Sequence, residues 1–167
     1  LRNAIEYSKK FGIRVINHAE DIFLKNNGVI NEGALSTRLG LPGIPDISES
    51  VMVFRDLEIA DYTGGKIHIP HVSSKKSIDL IKIYKDKGVN VTSEVTPHHI
   101  GLTEDILGEY NSNAKVAPPI RKESDRKALV DALLNGINFT RDLVSEPGNI
   151  LHPDEYTKRL IKLRKYG

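Results

Sequence analysis

The stretch KIHIPHVSSKKSIDLIKIYKDKGVNVTSEVTPHH, residues 66–99, carries the pattern that decides the fold. KIHIP, residues 66–70, is a short β-branched run that leads directly into His71. Residues 74–87 then place Ile78, Leu80, Ile81 and Tyr84 on a helical segment that Gly88 ends. VNVTSEVT, residues 89–96, is the next strand, followed by Pro97, His98 and His99. Strand, helix and strand in this order predict parallel strands joined by a right-handed crossover. Ligands of such sheets bind at the carboxyl ends of the strands. Histidines stand at both ends here.

The same pattern continues on either side. IRVIN, residues 13–17, is another β-branched run, and it leads directly to His18. Residues 1–12 read as a helix stopped by Gly12. Residues 48–63 read as a helix with Ser48 as N-cap and Gly64 as its stop. Between them, residues 26–47 are rich in Gly, Asn and Pro and are expected to form a long loop with one helical turn. Residues 123–135 are expected to form an amphipathic helix ended by Gly136, and residues 153–166 a last helix with Pro153 at its first position.

Composition narrows the function classes. The chain has 167 residues, enough for one domain and too few for a complete (β/α)8 barrel. The formal net charge is +2, which excludes a strong pull toward nucleic acid or anionic lipid. There is no cysteine, so disulfides, thiolate zinc ligands and a cysteine nucleophile are excluded. No apolar run approaches the roughly 20 residues of a membrane span. The chain begins at Leu1 in a helical pattern with no signal-peptide architecture, and it reads as the interior of something longer. The cytoplasm is the expected location.

Six histidines are candidates for chemistry. His18 and His71 occupy equivalent places just past apolar strands, where two neutral imidazoles could share a cation. Hydrogen-bonded loop histidines are the plainer alternative. His68 lies mid-strand, out of phase with Ile67 and Ile69, and reads as a packing or surface residue. His98 and His99 read as structural residues near a pocket floor, and His152 as a helix-entry residue. Glu20, Asp21 and Glu94 are the carboxylates nearest the strand ends, and spacing alone leaves all three as solvated loop groups. Gly64-Gly65 precedes a strand instead of opening a helix, so it is no phosphate loop. Lys75-Lys76 and Lys158-Arg159 through Arg164-Lys165 read as solvated helix faces.

INHAED (16–21), NEGALSTRLGLPGIP (31–45), IHIPHVSS (67–74), VTSEVTPHH (91–99) and KVAPPIR (115–121) resemble, in order and spacing, the class I dihydroorotases of the amidohydrolase superfamily. The resemblance covers roughly residues 1–137. It implies an α/β fold: a partial (β/α) barrel of about three to four β/α units with parallel strands, plus a C-terminal helical segment. It implies zinc as cofactor, with His18 and His71 as metal ligands. It also implies interconversion of N-carbamoyl-aspartate and dihydroorotate, a cyclic-amide hydrolysis of pyrimidine biosynthesis that uses a metal-activated hydroxide. The family's first-strand His-x-His pair, substrate arginine, bridging aspartate or carboxylated lysine and Asp-His-Ala-Pro-His strand end have no counterpart in residues 1–167. Ala117 stands where the family commonly has a substrate-binding asparagine.

Residues 136–167, GINFTRDLVSEPGNILHPDEYTKRLIKLRKYG, resemble a different family, the leucyl aminopeptidases (peptidase family M17). The expected division is therefore a dihydroorotase-like unit, 1–136, and an aminopeptidase-like helical segment, 137–167. Three functions stay open. The first is a dihydroorotase-type amidohydrolase by descent, inactive as an isolated chain because its catalytic set is incomplete. The second is a recombined, non-enzymatic structural piece that self-associates. The third is part of an aminopeptidase. A small-molecule substrate and a homo-oligomer are expected, with no nucleic acid and no membrane.

Overall fold

A computed structural model describes residues 1–145 together with Thr157, Lys158 and Ile161. The chain opens with α1 (Arg2–Ser8), which a 3₁₀ turn over Lys9–Phe11 extends to Gly12. Gly12 has φ +66°, the left-handed conformation that ends helices and that glycine adopts without a Cβ penalty. β1 (Val15–Ile16) follows, then α2 (Ile22–Lys25), β2 (Ile30–Asn31), α3 (Ala34–Leu39) and β3 (Gly43–Ile44). The long α4 (Ile47–Thr63) leads to β4 (Ile67–Ile69), α5 (Lys75–Asp86) and β5 (Val91–Ser93). After α6 (Pro97–Gly101) and two 3₁₀ turns comes α7 (Glu123–Ser145).

β1, β4 and β5 form a parallel sheet in the order β1-β4-β5. Val15 pairs with Ile67, which pairs with Val91; on the next row Ile16 pairs with His68, which pairs with Thr92. Side chains alternate across this register. Ile67, Ile69 and Val91 are buried against Ile5 of α1, Val53 and Leu57 of α4, Ile81 and Tyr84 of α5, and Leu129 of α7. Ile16, His68 and Thr92 point to the other face, where Ile16 is 68% exposed. One face is thus a packed core and the other lies open. The architecture is an α/β portion of a barrel with parallel strands.

The sequence expectations hold for α1, β1, α4, β4 and α5, and they fail at four places. Residues 26–47 are no plain loop: β2 and β3 pair in parallel, Ile30 with Gly43 and Asn31 with Ile44, around α3. A second apolar cluster of Ile30, Leu35, Leu107, Ala114 and Ile120 covers them. Strands of two residues among glycines and prolines show no alternation to read. Ser48 does not cap α4. Asp46 takes that position without a side-chain cap bond, its carboxylate held by Lys76 at 3.0 Å, and the Ser48 hydroxyl donates to Pro45 O at 2.7 Å. β5 is paired over only three residues of the expected 89–96. Finally, α7 runs past Gly136 to Ser145. A glycine inside a helix costs about 1 kcal/mol relative to alanine, which a 23-residue helix absorbs. The expected helix 153–166, His152 and most of the segment 137–167 lie outside the described residues.

Candidate metal site at the strand ends

The carboxyl ends of β1 and β4 bring two histidines together. Asn17 follows β1, and its backbone N–H donates to His68 O at 3.3 Å, which continues the ladder by one residue. The Asn17 side chain turns to the helix side and donates to Asp56 of α4 at 2.5 Å. His18, next in the alternation, faces the open side. There its Nδ1 lies 3.0 Å from His71 Nε2, with the rings edge to face. His71 has φ +40°, a conformation uncommon for a residue with a side chain and concentrated at functional sites.

The surroundings of His71 disfavour its protonated form. Burial, and then the nearby His18, push the His71 imidazole below its ordinary pKa. His18 Nε2 lies 3.4 Å from Glu20 Oε2. Lys25 donates to the same oxygen at 2.7 Å. Burial alone would raise the Glu20 pKa, but the hydrogen bonds from Lys25 and His18 outweigh it and hold the carboxyl down. Glu20 is therefore a largely buried, partnered group and not the solvated loop carboxylate expected from spacing. A carboxylate on the far nitrogen of a ligating histidine is a recurring orienting contact in metal sites.

The donor set fits a metal in part. Two nitrogens each ~2.0–2.1 Å from a tetrahedral zinc ion stand roughly 3.3 Å apart, close to the spacing seen here. His18 Nδ1 and His71 Nε2 would hold it, and the metal would act there as a Lewis acid. Among the described residues no group of three or more His, Cys, Asp or Glu converges to complete the set.

The other sequence candidates find plainer work. Asp21 caps α2, its Oδ1 accepting from Phe23 and Leu24 N–H at 2.9 Å each. Glu94 is exposed and lies 3.6 Å from His68 Nε2, while His68 Nδ1 meets Thr92 Oγ1 at 2.8 Å. The mid-strand histidine thus belongs to a polar row on the open face. His99 is buried; its Nε2 donates to Pro118 O at 3.0 Å, which leaves Nδ1 to accept from Thr96 Oγ1 at 2.6 Å. Burial lowers its pKa, so it is a neutral structural imidazole. Lys75 and Lys76 are exposed and pair with Asp79 and Asp46. A groove of about 730 Å³ lies between α5, the end of β5 and α7, walled by Ile78, Lys82, Val95 and Leu129 among others; neither His18 nor His71 lines it.

Sequence reasoning missed a buried polar network behind His71. Glu49 of α4 is buried, and its carboxylate accepts from Ser73 N–H at 3.2 Å, from Ser74 N–H at 3.1 Å and from the Ser73 hydroxyl. Arg121 is also buried. Its Nε donates to Ser73 Oγ at 3.1 Å, and its Nη1 donates to Asn31 Oδ1 and Ile44 O, both at 2.9 Å. The Arg121 Nη2 atom is buried with no hydrogen-bond partner among the described residues. Arg121 closes the KVAPPIR motif, residues 115–121.

Residues 3–77, which include both histidines, match the family model described as Dihydro-orotase-like. The chain is 51% identical over 138 residues to a dihydroorotase of Wolbachia sp. subsp. Drosophila simulans, covering 82% of the chain and 31% of the relative. It is 45% identical over 155 residues to a dihydroorotase of Caldicellulosiruptor saccharolyticus, covering 93% and 35% respectively, a match long enough to run past Gly136. The chain spans about a third of the length of the curated relatives it matches. Among solved structures, dihydropyrimidinase from Brevibacillus agri NCHU1002 superposes with a TM-score of 0.67 at 22% identity, over 81% of this chain and 31% of that one. That likeness concerns the fold. The part of the chain that builds the two-histidine site is thus similar in sequence to dihydroorotases, on a portion of the barrel that hydantoinases and dihydropyrimidinases share.

Proposed function

We propose that the chain is part of a dihydroorotase-type cyclic amidohydrolase of pyrimidine metabolism and contributes two imidazole ligands to its metal centre. The convergence of His18 Nδ1 and His71 Nε2 at adjacent strand ends carries this reading. The sequence likeness to dihydroorotases supports it. The metal is zinc in this reading, and the substrate is a cyclic amide of the dihydroorotate class or its ring-opened N-carbamoyl amino acid. A catalytic zinc takes three protein ligands. Two are present among the described residues, so the isolated chain binds metal and does not turn over substrate.

Zinc binding by the purified chain tests the reading, measured by competition with a chromophoric chelator. One ion per chain is expected, with binding lost in His18→Ala and in His71→Ala. Binding that survives both substitutions overturns the metal assignment. Hydrolysis of dihydroorotate by the chain alone, abolished by His18→Ala, overturns the inactivity.

A second reading concerns residues 137–167 only. The run RDLVSEPGN motivates a recombined chain whose last segment derives from an aminopeptidase, against the 155-residue dihydroorotase match that extends past Gly136. The coding sequence beyond Gly167 decides it: an Asp-His-Ala-Pro-His strand end favours a continuous dihydroorotase, and aminopeptidase metal ligands favour recombination.

A further inference from the structure

We propose that Glu49, Ser73 and Arg121 form a positioning unit that holds His71 in its left-handed conformation opposite His18. The inference rests on the reading of His71 as a metal ligand. Five residues, Pro70 to Ser74, connect the end of β4 to α5, and the last of them, Ser74, is the N-cap of α5 and accepts from Ser77 N–H at 3.2 Å. Such a short connection leaves His71 little freedom once its far end is anchored. The anchoring is heavy. Ser73 and Ser74 are fully buried, and both of their N–H groups donate to the Glu49 carboxylate. The Ser73 hydroxyl donates to Glu49 and accepts from Arg121 Nε, so it links a buried anion to a buried cation. On the near side, Val72 N–H donates to Glu94 O at 2.9 Å.

Arg121 connects this loop to a second body of the fold. Its Nη1 grips Asn31 of β2 and Ile44 of β3, and Asn31 donates onward to Glu104. The small β2–β3 sheet and its apolar cluster are therefore braced against the His71 loop through one guanidinium. A planar fork with several fixed donors suits such a junction, and lysine could not reproduce it. A ligand imidazole whose backbone is held from behind keeps its geometry without metal, the usual contribution of supporting residues to a metal site.

The obvious variants remove a buried charge and threaten the fold, because the partner is left uncompensated. Ser73→Ala avoids this: both charges stay, the volume hardly changes, and only the link between them is cut. In the full chain, Ser73→Ala is expected to weaken zinc binding by about 10- to 100-fold, the range for supporting residues of metal sites, with a cooperative melt retained. Glu49→Gln, which removes the buried charge and turns one acceptor oxygen into a donor, is expected to weaken zinc binding and to lower the melting temperature as well. Val53→Ala, a fully buried position outside the network, is expected to lower the melting temperature and leave zinc affinity unchanged. In metal-free protein, the hydrogen-bonded imidazole proton between His18 and His71 should be visible by NMR, and Ser73→Ala should abolish it. Wild-type zinc affinity and an intact imidazole signal in Ser73→Ala overturn the positioning role. Zinc binding unchanged in His71→Ala overturns the underlying metal assignment instead.

Discussion

His18 Nδ1 and His71 Nε2 lie 3.0 Å apart although 53 positions separate them in the chain. The contact exists because β1 and β4 pair in parallel and end side by side. Each histidine stands two residues past the end of its strand, so pairing the strands pairs the imidazoles.

Removing either imidazole should abolish measurable zinc binding. A lost ligand costs more than the roughly 10- to 100-fold typical of an orienting contact. Glu20→Gln should fall within that lesser range, since its oxygen touches His18 Nε2 and no metal position. Chelator competition on the three variants checks the order.

The packed face of the sheet should be sensitive to truncation. Leu57 of α4 and Ile69 of β4 are fully buried in one cluster. Leu57→Ala and Ile69→Ala should each destabilise the chain by about 2–5 kcal/mol, through lost burial and the cavity left behind. Denaturant unfolding measures this. Ile16→Ala, on the open face, should cost far less.

The small parallel sheet should reject a methyl group. A Cβ on Gly28 would stand 2.6 Å from Gly43 O and 2.9 Å from Gly43 C, both of them backbone atoms. Gly28→Ala should therefore destabilise by about 1–3 kcal/mol, as overpacking typically does. Gly40→Ala, with open space around its Cβ but φ +65°, separates backbone strain from crowding in the same thermal melt.

Tyr84 should titrate late. Burial first, and then its hydrogen bond to Glu58, push the phenol up to about 12 from its ordinary value of 10.0. The folded state thus holds this proton more tightly than the unfolded state. Its stabilising effect is complete below about pH 10 and is lost as pH rises toward 12. Ultraviolet titration should show one phenol ionising near pH 12, and Tyr84→Phe should remove that step.

The open face should drive self-association. Ile16 lies exposed on it, Phe23 of α2 is 87% exposed, and β1 and β5 each present an edge unpaired among the described residues. Sedimentation equilibrium should show a concentration-dependent dimer or larger species, and Ile16→Lys should shift it toward monomer. A monomer at every concentration would contradict this.

Much of the fold was legible because its signals are local. Gly12, Gly64 and Gly88 mark helix ends through left-handed backbone, and the runs 13–17 and 66–70 are β-branched. The β2–β3 pair was not legible, since two-residue strands leave no period to detect. Ser48 misled as a cap because α4 already begins at Ile47, which puts Ser48 inside the first turn, where its hydroxyl donates back to Pro45 O. Glu20 was underrated because Lys25, at the far end of α2, folds back to pair with it.

By itself the sequence determined the succession α1, β1, α4, β4, α5 and the placing of His18 and His71 at strand ends, because periodicity, glycine stops and strand-end position are properties of neighbouring residues. Only the tertiary structure decided that these two imidazoles meet, and that Glu49, Ser73 and Arg121 stand behind them. The Glu49–Ser73 and Ser73–Arg121 contacts join positions 24 and 48 apart through burial in a shared core, whereas the two imidazoles, 53 apart, meet on the open face because β1 and β4 pair side by side.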